Sequence, residues 1–353
     1  MFIDKIFIKD FRLFQELSLE LNKKNLLISG FNGSGKTSFL EAINVAIKKK
    51  SPRTKDLLDC ISHEKKSFIL GIQAKSKEGS LVIKAKKERN KRVSIKAILG
   101  KSVAPKSSIP IIQFIEAKDL RMIEGETELR RNFFLSAMFH VEHNQERAFK
   151  EYKKALNQRN TALKKKVSNK ELKIWDDVLI ETGTHISHQQ HVFFNEVFKG
   201  AIESRERTHE KDLLNKLKVA LLKGWEEEVE FSEAIRCSYE KDRMLGYTSA
   251  GPHRIDLNFS IDKKTAKSVL SRGEQKLLIL LMFFKLNKAL IKKNVSGILY
   301  LLDDITSELD KKNLEVAVNE ALKLDAQLFI TMIEDKNSES FNRFKDKFTQ
   351  LNL

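Results

Sequence analysis

The sequence predicts an α/β protein with a mixed-sheet lobe and a parallel-sheet core, divided by an inserted α-helical segment. Three features predict it. A glycine-rich stretch, Gly30 to Thr37, stands between a strand-like apolar run and a helix-like one. Between about Leu129 and Trp225 proline is absent, glycine is sparse and apolar residues recur at helical spacing. From Tyr247 onward strand-like and αβ patterns return. These shifts divide the chain into residues 1–128, a helical insertion over 129–245, and 246–353.

Within the first part, Ile3 to Lys9 and Leu17 to Leu21 alternate with period two, as half-buried strands do. Ser67 to Lys75 and Leu81 to Ala85 follow the same rule, with Gly79-Ser80 expected as the turn between them. Pro105 and Pro110 bracket a loop before the strand Ile111 to Ile115. In the insertion, Phe133, Phe134, Met138, Phe149, Tyr152, Leu156 and Leu163 suit amphipathic helices, as do Trp175, Leu179, Ile186, Phe193 and Phe198. Such aromatics are more often helix packing than a base-stacking surface. At roughly 1.5 Å per residue the insertion is too short for a long coiled-coil arm. In the last part, Ile298 to Leu302 is a continuous apolar run typical of a central parallel strand, and Gln327 to Thr331 reads as another.

The chain has 353 residues, 41% of them hydrophobic, enough for a head with an insertion or for two domains. Lys and Arg number 65 against 48 Asp and Glu, a net charge of +17 that favours a polyanionic partner. Cys60 and Cys237 lie far apart without ligand spacing, as reduced thiols of a cytoplasmic protein do. The N-terminus lacks the apolar core of a signal peptide, and no run of about 18 uncharged apolar residues exists to span a bilayer.

Gly30-Phe31-Asn32-Gly33-Ser34-Gly35-Lys36-Thr37 has the phosphate-binding P-loop pattern. Asn25 to Ser29 before it reads as a buried strand and Ser38 to Ile43 after it as a helix, the context the motif requires. Its glycines let backbone N–H groups close around phosphate oxygens at a helix N-terminus. Lys36 is expected to reach the β- and γ-phosphates and the Thr37 hydroxyl to ligate Mg²⁺. Leu301-Leu302-Asp303-Asp304 ends an apolar strand with paired carboxylates. Asp303 is expected to hold the Mg²⁺ through water, and Asp304 to polarise the attacking water. Many such ATPases carry Glu at the second position. The shorter Asp304 predicts slow hydrolysis.

Leu270-Ser271-Arg272-Gly273-Glu274-Gln275-Lys276, ahead of an apolar helix, resembles the signature loop of ABC-type ATPases, with Ser271 and Gly273 forming a second phosphate surface. Ser307-Glu308-Leu309-Asp310 resembles a D-loop, and Gln113, expected at a strand end, a Q-loop glutamine that senses Mg²⁺ and the γ-phosphate. Arg12 reads equally as a phosphate contact and as a surface arginine. Basic runs offer contacts to nucleic acid: Lys48, Lys49, Lys50, Arg53 and Lys55; Lys84, Lys86, Lys87, Arg89, Lys91 and Arg92; and Lys164, Lys165 and Lys166. Taken singly, each run is more often a solvated face.

Together these motifs resemble the RecF family of DNA replication and repair ATPases, along nearly the whole chain. The segment Phe114 to Arg131 is similar to the family, as are Phe139-His140-Val141-Glu142-His143 and Ala155 to Asn160. Gly246-Tyr247-Thr248-Ser249-Ala250-Gly251-Pro252-His253-Arg254-Ile255-Asp256-Leu257 is close to a family hallmark. The resemblance implies an ABC-type head with a helical lever arm and ATP with Mg²⁺ as nucleotide and metal. It also implies ATP-dependent homodimerisation, DNA binding at gaps or junctions, RecR and RecO as partners, and assistance in loading RecA in recombinational repair and the SOS response. In such a fold the signature loop faces away from its own P-loop, so each nucleotide would be shared by two copies. The chain departs from the family at Glu274, which adds negative charge beside the signature, and at Ala117 and Phe134-Leu135. No histidine follows Ile330-Thr331 as a switch residue, leaving Thr331 as its substitute. Competing classes are a non-hydrolysing DNA clamp, the ATPase subunit of a membrane transporter, and a small-molecule kinase, for which the signature and D-loop would have no use.

Overall fold

The structure, a computed structural model, describes residues 1–76, 79–125, 127–141, 146–199, 216–292, 297–333 and 341–353. Glu142 and His143 of the family-like segment lie outside the described residues. Along the chain, β1 (Phe2–Phe11), β2 (Phe14–Glu20) and β3 (Asn25–Gly30) lead into α1 (Lys36–Lys48). There follow β4 (Ser67–Ser76), β5 (Gly79–Glu88), β6 (Ser94–Leu99), β7 (Ser102–Val103) and β8 (Ile111–Ile115). Then come α2 (Thr127–Val141), α3 (Glu146–Lys164), α4 (Asn169–Phe194), β9 (Leu217–Leu222), α5 (Phe231–Cys237), α6 (Tyr239–Leu245), β10 (Asp256–Ile261) and β11 (Lys264–Thr265). The chain closes with α7 (Arg272–Lys292), β12 (Ile298–Leu302), α8 (Ile305–Glu308), α9 (Lys311–Leu322), β13 (Gln327–Ile333) and β14 (Phe348–Asn352).

These elements form two units, Met1–Arg121 with Ser271–Leu353, and Met122–Leu270. The first holds an antiparallel six-stranded sheet, order β2-β1-β4-β5-β6-β7, and a parallel five-stranded sheet, order β14-β3-β13-β12-β8. Alternation along β1 and β4 turns Ile3, Ile6, Ile8, Phe68, Leu70 and Ile72 inward. They meet Phe39, Leu40 and Ile43 of α1, and the same core takes in Leu26, Leu301 and Phe329 of the parallel sheet. Helix α1 is therefore buried on nearly all sides, which fits its apolar sequence. Ser76 pairs with Gly79 and Lys75 with Ser80. Gly79-Ser80 thus opens β5 instead of forming the expected turn, because the ladder continues two residues further.

In the second unit α3 and α4 pack against each other, joined by the turn Lys165 to Ser168. Ser168 starts α4 with a capping box to Glu171. Gly183 permits the close approach of α5: a Cβ there would stand 2.3 Å from the Phe231 ring and 3.0 Å from that of Tyr152. The boundaries expected at 128/129 and 245/246 lie elsewhere by packing. Residues 246–270, expected to begin the second part of the head, belong with the helices, since β10 pairs antiparallel with β9 along its whole length.

A buried polar knot joins the family-like segments of this unit. The Arg159 side chain is fully buried; its Nε donates to Asp176 at 2.6 Å, and Nη1 donates to Asp242 at 2.6 Å and to the Thr248 hydroxyl at 2.8 Å. Asn160 accepts from the Thr248 amide, and Asp242 from the Ser249 amide, both at 2.8 Å. Nearby, Tyr152 Oη and His253 Nδ1 lie 2.6 Å apart. Burial, reinforced by the positive charge of Arg254 and Arg131, pulls His253 down to about 4.

Arg159→Leu would leave Asp242 buried without its cation. We expect urea unfolding to show a loss of about 3–5 kcal/mol; an unchanged midpoint would show that the knot carries no stability. His253 sets a pH dependence of known sign. An unfolded histidine titrates near 6.5, so between about 6.5 and 4 the unfolded chain binds the extra proton. The stability contributed by neutral His253 is complete above that window and is lost as pH falls through it. The melting temperature of wild type should therefore fall more steeply than that of His253→Gln between pH 7 and 4.5, and parallel curves would remove His253 as the cause.

Candidate nucleotide site

Parallel register aligns the strand ends that build the site. Gly30 pairs with Ile333 at the end of β13, and Leu302 pairs with Ile330 on one side and Ile115 on the other. The P-loop therefore leaves β3 at the same sheet edge where Asp303 and Asp304 leave β12. Gly35 caps α1 with φ 108, a left-handed conformation that favours glycine, and a Cβ there would stand 3.1 Å from the Phe14 ring.

Lys36 is 8% exposed and its Nζ donates to the carbonyls of Gly30 and Phe31, each at 2.8 Å. The Thr37 hydroxyl donates to both Asp303 oxygens, at 2.9 and 3.1 Å. Thr331, fully buried on β13, donates to Asp303 at 2.9 Å and accepts from the Asp304 amide at 2.8 Å. It fixes the acidic pair from behind and is absent from the cavity lining, which gives its role as a switch residue no support. Asp304 adopts a left-handed φ of 54. Burial, with the charge of Asp303 added, raises its carboxyl above the usual range although Ser307 and Lys36 pull the other way.

Gly35, Lys36, Thr37, Asp303 and Asp304 line an open cavity of about 500 Å³ with Arg12, Leu13, Asn32, Gly33, Arg53, Asp59, Ile61 and Ile333. The buried Ser34 hydroxyl and one Asp304 oxygen, Oδ1, have no hydrogen-bond partner among the described residues. An amide-lined glycine loop with Lys36 fits a polyphosphate. A hydroxyl beside a carboxylate is the oxygen donor set Mg²⁺ takes.

Two guanidiniums border this cavity, both tied to Glu41, which is fully buried on α1. Arg12 donates to it twice, Nε at 3.0 Å and Nη2 at 2.8 Å, and Ser51 donates at 2.5 Å. Burial pushes the Glu41 carboxyl upward, but the hydrogen bonds of Arg12 and Ser51 and the charges of Arg12 and Arg53 outweigh it and hold it below the ordinary range. Arg12 is thus a fixed cavity residue, not a loose surface arginine. Arg53, expected in a DNA-facing run, lies 3.7 Å from Glu41 and lines the nucleotide cavity. A single carboxylate inside an apolar helix is the sequence signal that marks Glu41.

Other expected residues stand elsewhere. Gln113 is in the middle of β8, opposite Tyr300, 7% exposed and absent from the cavity lining, so its sensing role is not supported. The strand continues beyond it to Ile115, so Gln113 does not stand at a strand end. Ser271 and Gly273 are also outside that lining. Ser271 caps α7 in a capping box: Glu274 folds back to accept from the Ser271 hydroxyl at 2.7 Å and amide at 2.9 Å. Lys276 pairs with Glu308 at 2.6 Å, tying the signature helix to the D-loop.

The basic runs are dispersed by the fold. Lys48 is half-buried, and burial with the Lys50 charge lowers it to about 8, while Lys49 and Lys50 are exposed at the end of α1. Lys86 pairs with Glu88 at 2.7 Å, and Arg89 donates to the Lys65 carbonyl at 3.0 Å. Lys87 points inward, 9% exposed, and donates to the carbonyls of Glu88 and Lys91, which removes it from any DNA-contacting surface.

With phosphate cradle and acidic strand end sharing one cavity, the head falls in the class of ABC-type P-loop ATPases. A family model described as the RecF/RecN/SMC N-terminal domain matches residues 2–352. RecF of Enterobacter sp. (strain 638), a DNA replication and repair protein, is 31% identical, the match covering 99% of this chain and 100% of that one. RecF of Escherichia coli O6:K15:H31 is 30% identical with the same coverage. The chain belongs to the RecF family. Solved structures share its fold: the recombination mediator protein RecF with ATP, in the RecFOR pathway, superposes with a TM-score of 0.76 at 22% identity over 95% of this chain and 92% of that one. An SMC head bound to the C-terminal winged-helix domain of ScpA gives 0.51 at 18% identity over 96% and 92%.

Glu41→Ala would release both guanidiniums at once. Binding of a fluorescent ATP analogue should weaken about tenfold, equivalent to about 1.4 kcal/mol; unchanged affinity would mean that Arg12 and Arg53 do not serve the nucleotide.

Proposed function

We propose that this protein is an ATP-dependent DNA-binding protein of recombinational repair and replication restart, acting in the cytoplasm. Two copies would close on DNA at gaps or junctions when ATP is bound and release it after slow hydrolysis. The observation that carries the hydrolytic part is Asp304, whose carboxyl faces the cavity at the end of β12, a buried oxygen without a hydrogen-bond partner among the described residues. Its position and raised carboxyl suit a group that orients and polarises water. Gly30 to Thr37 hold the phosphates and Lys36 neutralises their charge. Thr37 and Asp303 would hold Mg²⁺, which supplies charge neutralisation to the β- and γ-phosphate oxygens.

The dimer is supported by Ser271 and Gly273. Both stand outside their own P-loop cavity, at the N-terminus of α7, where a helix end favours an anion and the Ser271 hydroxyl is held in the capping box with Glu274. A γ-phosphate bridging P-loop and opposing signature favours the dimer over the monomer, and its loss reverses the preference. Family membership and the similar RecF–ATP structure support ATP as the nucleotide, and the RecFOR pathway of that similar protein supports RecO and RecR as partners; RecA loading within the SOS response is the setting proposed with them. The net charge of +17 supports a polyanion as the bound partner.

Sedimentation and steady-state phosphate release separate the parts. Lys36→Met should lose nucleotide. Asp304→Asn should bind ATP and dimerise while turnover falls about 100-fold or more. Ser271→Arg should bind ATP and remain monomeric. Full turnover in Asp304→Asn, or an ATP-dependent dimer of Ser271→Arg, would refute the corresponding role.

A further inference from the structure

The outer face of the six-stranded sheet brings Lys84, which stands in one of the basic runs, beside Lys96, which stands in none. Register places Ser18, Phe7, Gly71, Lys84 and Lys96 in one row across β2, β1, β4, β5 and β6. Alternation turns this row to solvent, opposite the core-facing residues. Lys84 and Lys96 are therefore direct cross-strand neighbours, both exposed. Like charges at such a pair destabilise a sheet.

Other lysines on this face are neutralised by the protein itself. Lys5 pairs with Glu20 at 2.7 Å, Lys9 with Glu16 at 2.8 Å, Lys75 with Asp4 at 3.2 Å and Lys86 with Glu88 at 2.7 Å. The side chains of Lys84 and Lys96 have no hydrogen-bond or ion-pair partner among the described residues, and their row contains no acidic side chain.

We infer that Lys84 and Lys96 form a landing site for the phosphate backbone of DNA on the outer face of this sheet. The inference rests on the DNA-binding reading above and names the surface that serves it. A sheet face with point-charge ammonium groups on neighbouring strands, about 4.8 Å apart, offers no pocket or guanidinium fork with which to select an acidic side chain. It suits a partner that supplies repeated negative charge without sequence information. Each lysine placed on a phosphate displaces about one condensed counterion, so its removal is legible in the salt dependence of binding.

The test measures the slope of log affinity against log salt for a mixed-sequence duplex with ATP, by fluorescence anisotropy. Lys84→Gln and Lys96→Gln should each reduce the slope by about 1, and the double variant by about 2. Lys9→Gln makes the same change in net charge on the same face at an ion-paired residue, and should leave the slope near wild type. ATP-analogue affinity and ATP-dependent dimerisation should be unchanged in every variant. Slopes equal to wild type in the double variant, or an equal fall in Lys9→Gln, would overturn the site; the first result would leave the face to an acidic polypeptide. Wild type without salt-dependent DNA binding would instead overturn the DNA-binding reading itself.

Discussion

Everything chemical in this head depends on the register of the parallel sheet. Leu302 pairs with Ile330, so Asp303 emerges level with Thr331, and Gly30 pairs with Ile333, so the P-loop emerges beyond it. Sliding β12 by one residue would turn its side chains to the other face and separate Asp303 from Thr37, with which it now shares hydrogen bonds of 2.9 and 3.1 Å. The hydroxyl of Thr331 locks this alignment from the strand between them. Register is secured in turn by α1, whose buried residues fill the space between the two sheets. A packing constraint thus fixes how Thr37 meets Asp303.

Both units also bury an arginine–carboxylate system. Removing charge from water is costly, and a well-packed apolar substitute is often as stable. What the ion pairs add is direction. The pair of hydrogen bonds from Arg12 to Glu41 holds a guanidinium at the nucleotide cavity with its orientation set by a helix. The Arg159 knot draws α3, α4, α6 and the Thr248-Ser249 loop to a single point, through donors whose geometry admits few alternatives. Two family-like stretches that are distant in sequence, Ala155 to Asn160 and Gly246 to Leu257, meet there. Their shared pattern has a structural cause as well as any functional one.

The P-loop, the acidic strand end and the parallel core were legible because each is local: a glycine pattern between a strand and a helix, and an apolar run ending in carboxylates. What was not legible depends on partners distant in sequence. Gln113 falls inside its strand because β12 continues pairing with β8 to Ile115. Arg53 belongs to the nucleotide cavity because Glu41 lies below it, and Lys87 turns inward because strand alternation overrides its charge. Residues 246–270 read as the return of the head since β10 is a strand, but its partner is β9, which follows the helices. The pair Lys84 and Lys96 is invisible in one dimension because twelve positions separate residues that register makes adjacent.

The signature helix and the acidic strand end are mechanically one body. Gly273 abuts the Asp310 and Asn313 side chains so closely that a Cβ would stand 2.9 Å from Asn313 Nδ2. Lys276 is paired with Glu308, and the Ser307 hydroxyl donates to the Asp304 carbonyl at 3.0 Å. In the proposed dimer, a load placed on Ser271 and Gly273 by an opposing phosphate would thereby reach the backbone of Asp304. Glu274 sets the terms of that load. Its carboxylate accepts from the Ser271 hydroxyl, so an approaching phosphate meets a serine already engaged by a negative charge. Closure of the proposed dimer would either turn that carboxylate aside or share the hydroxyl with it. For the proposed dimer, rearranging the capping box would draw on the binding energy of the opposing nucleotide, and that requirement would make a phosphate-dependent contact switch-like in place of merely adhesive.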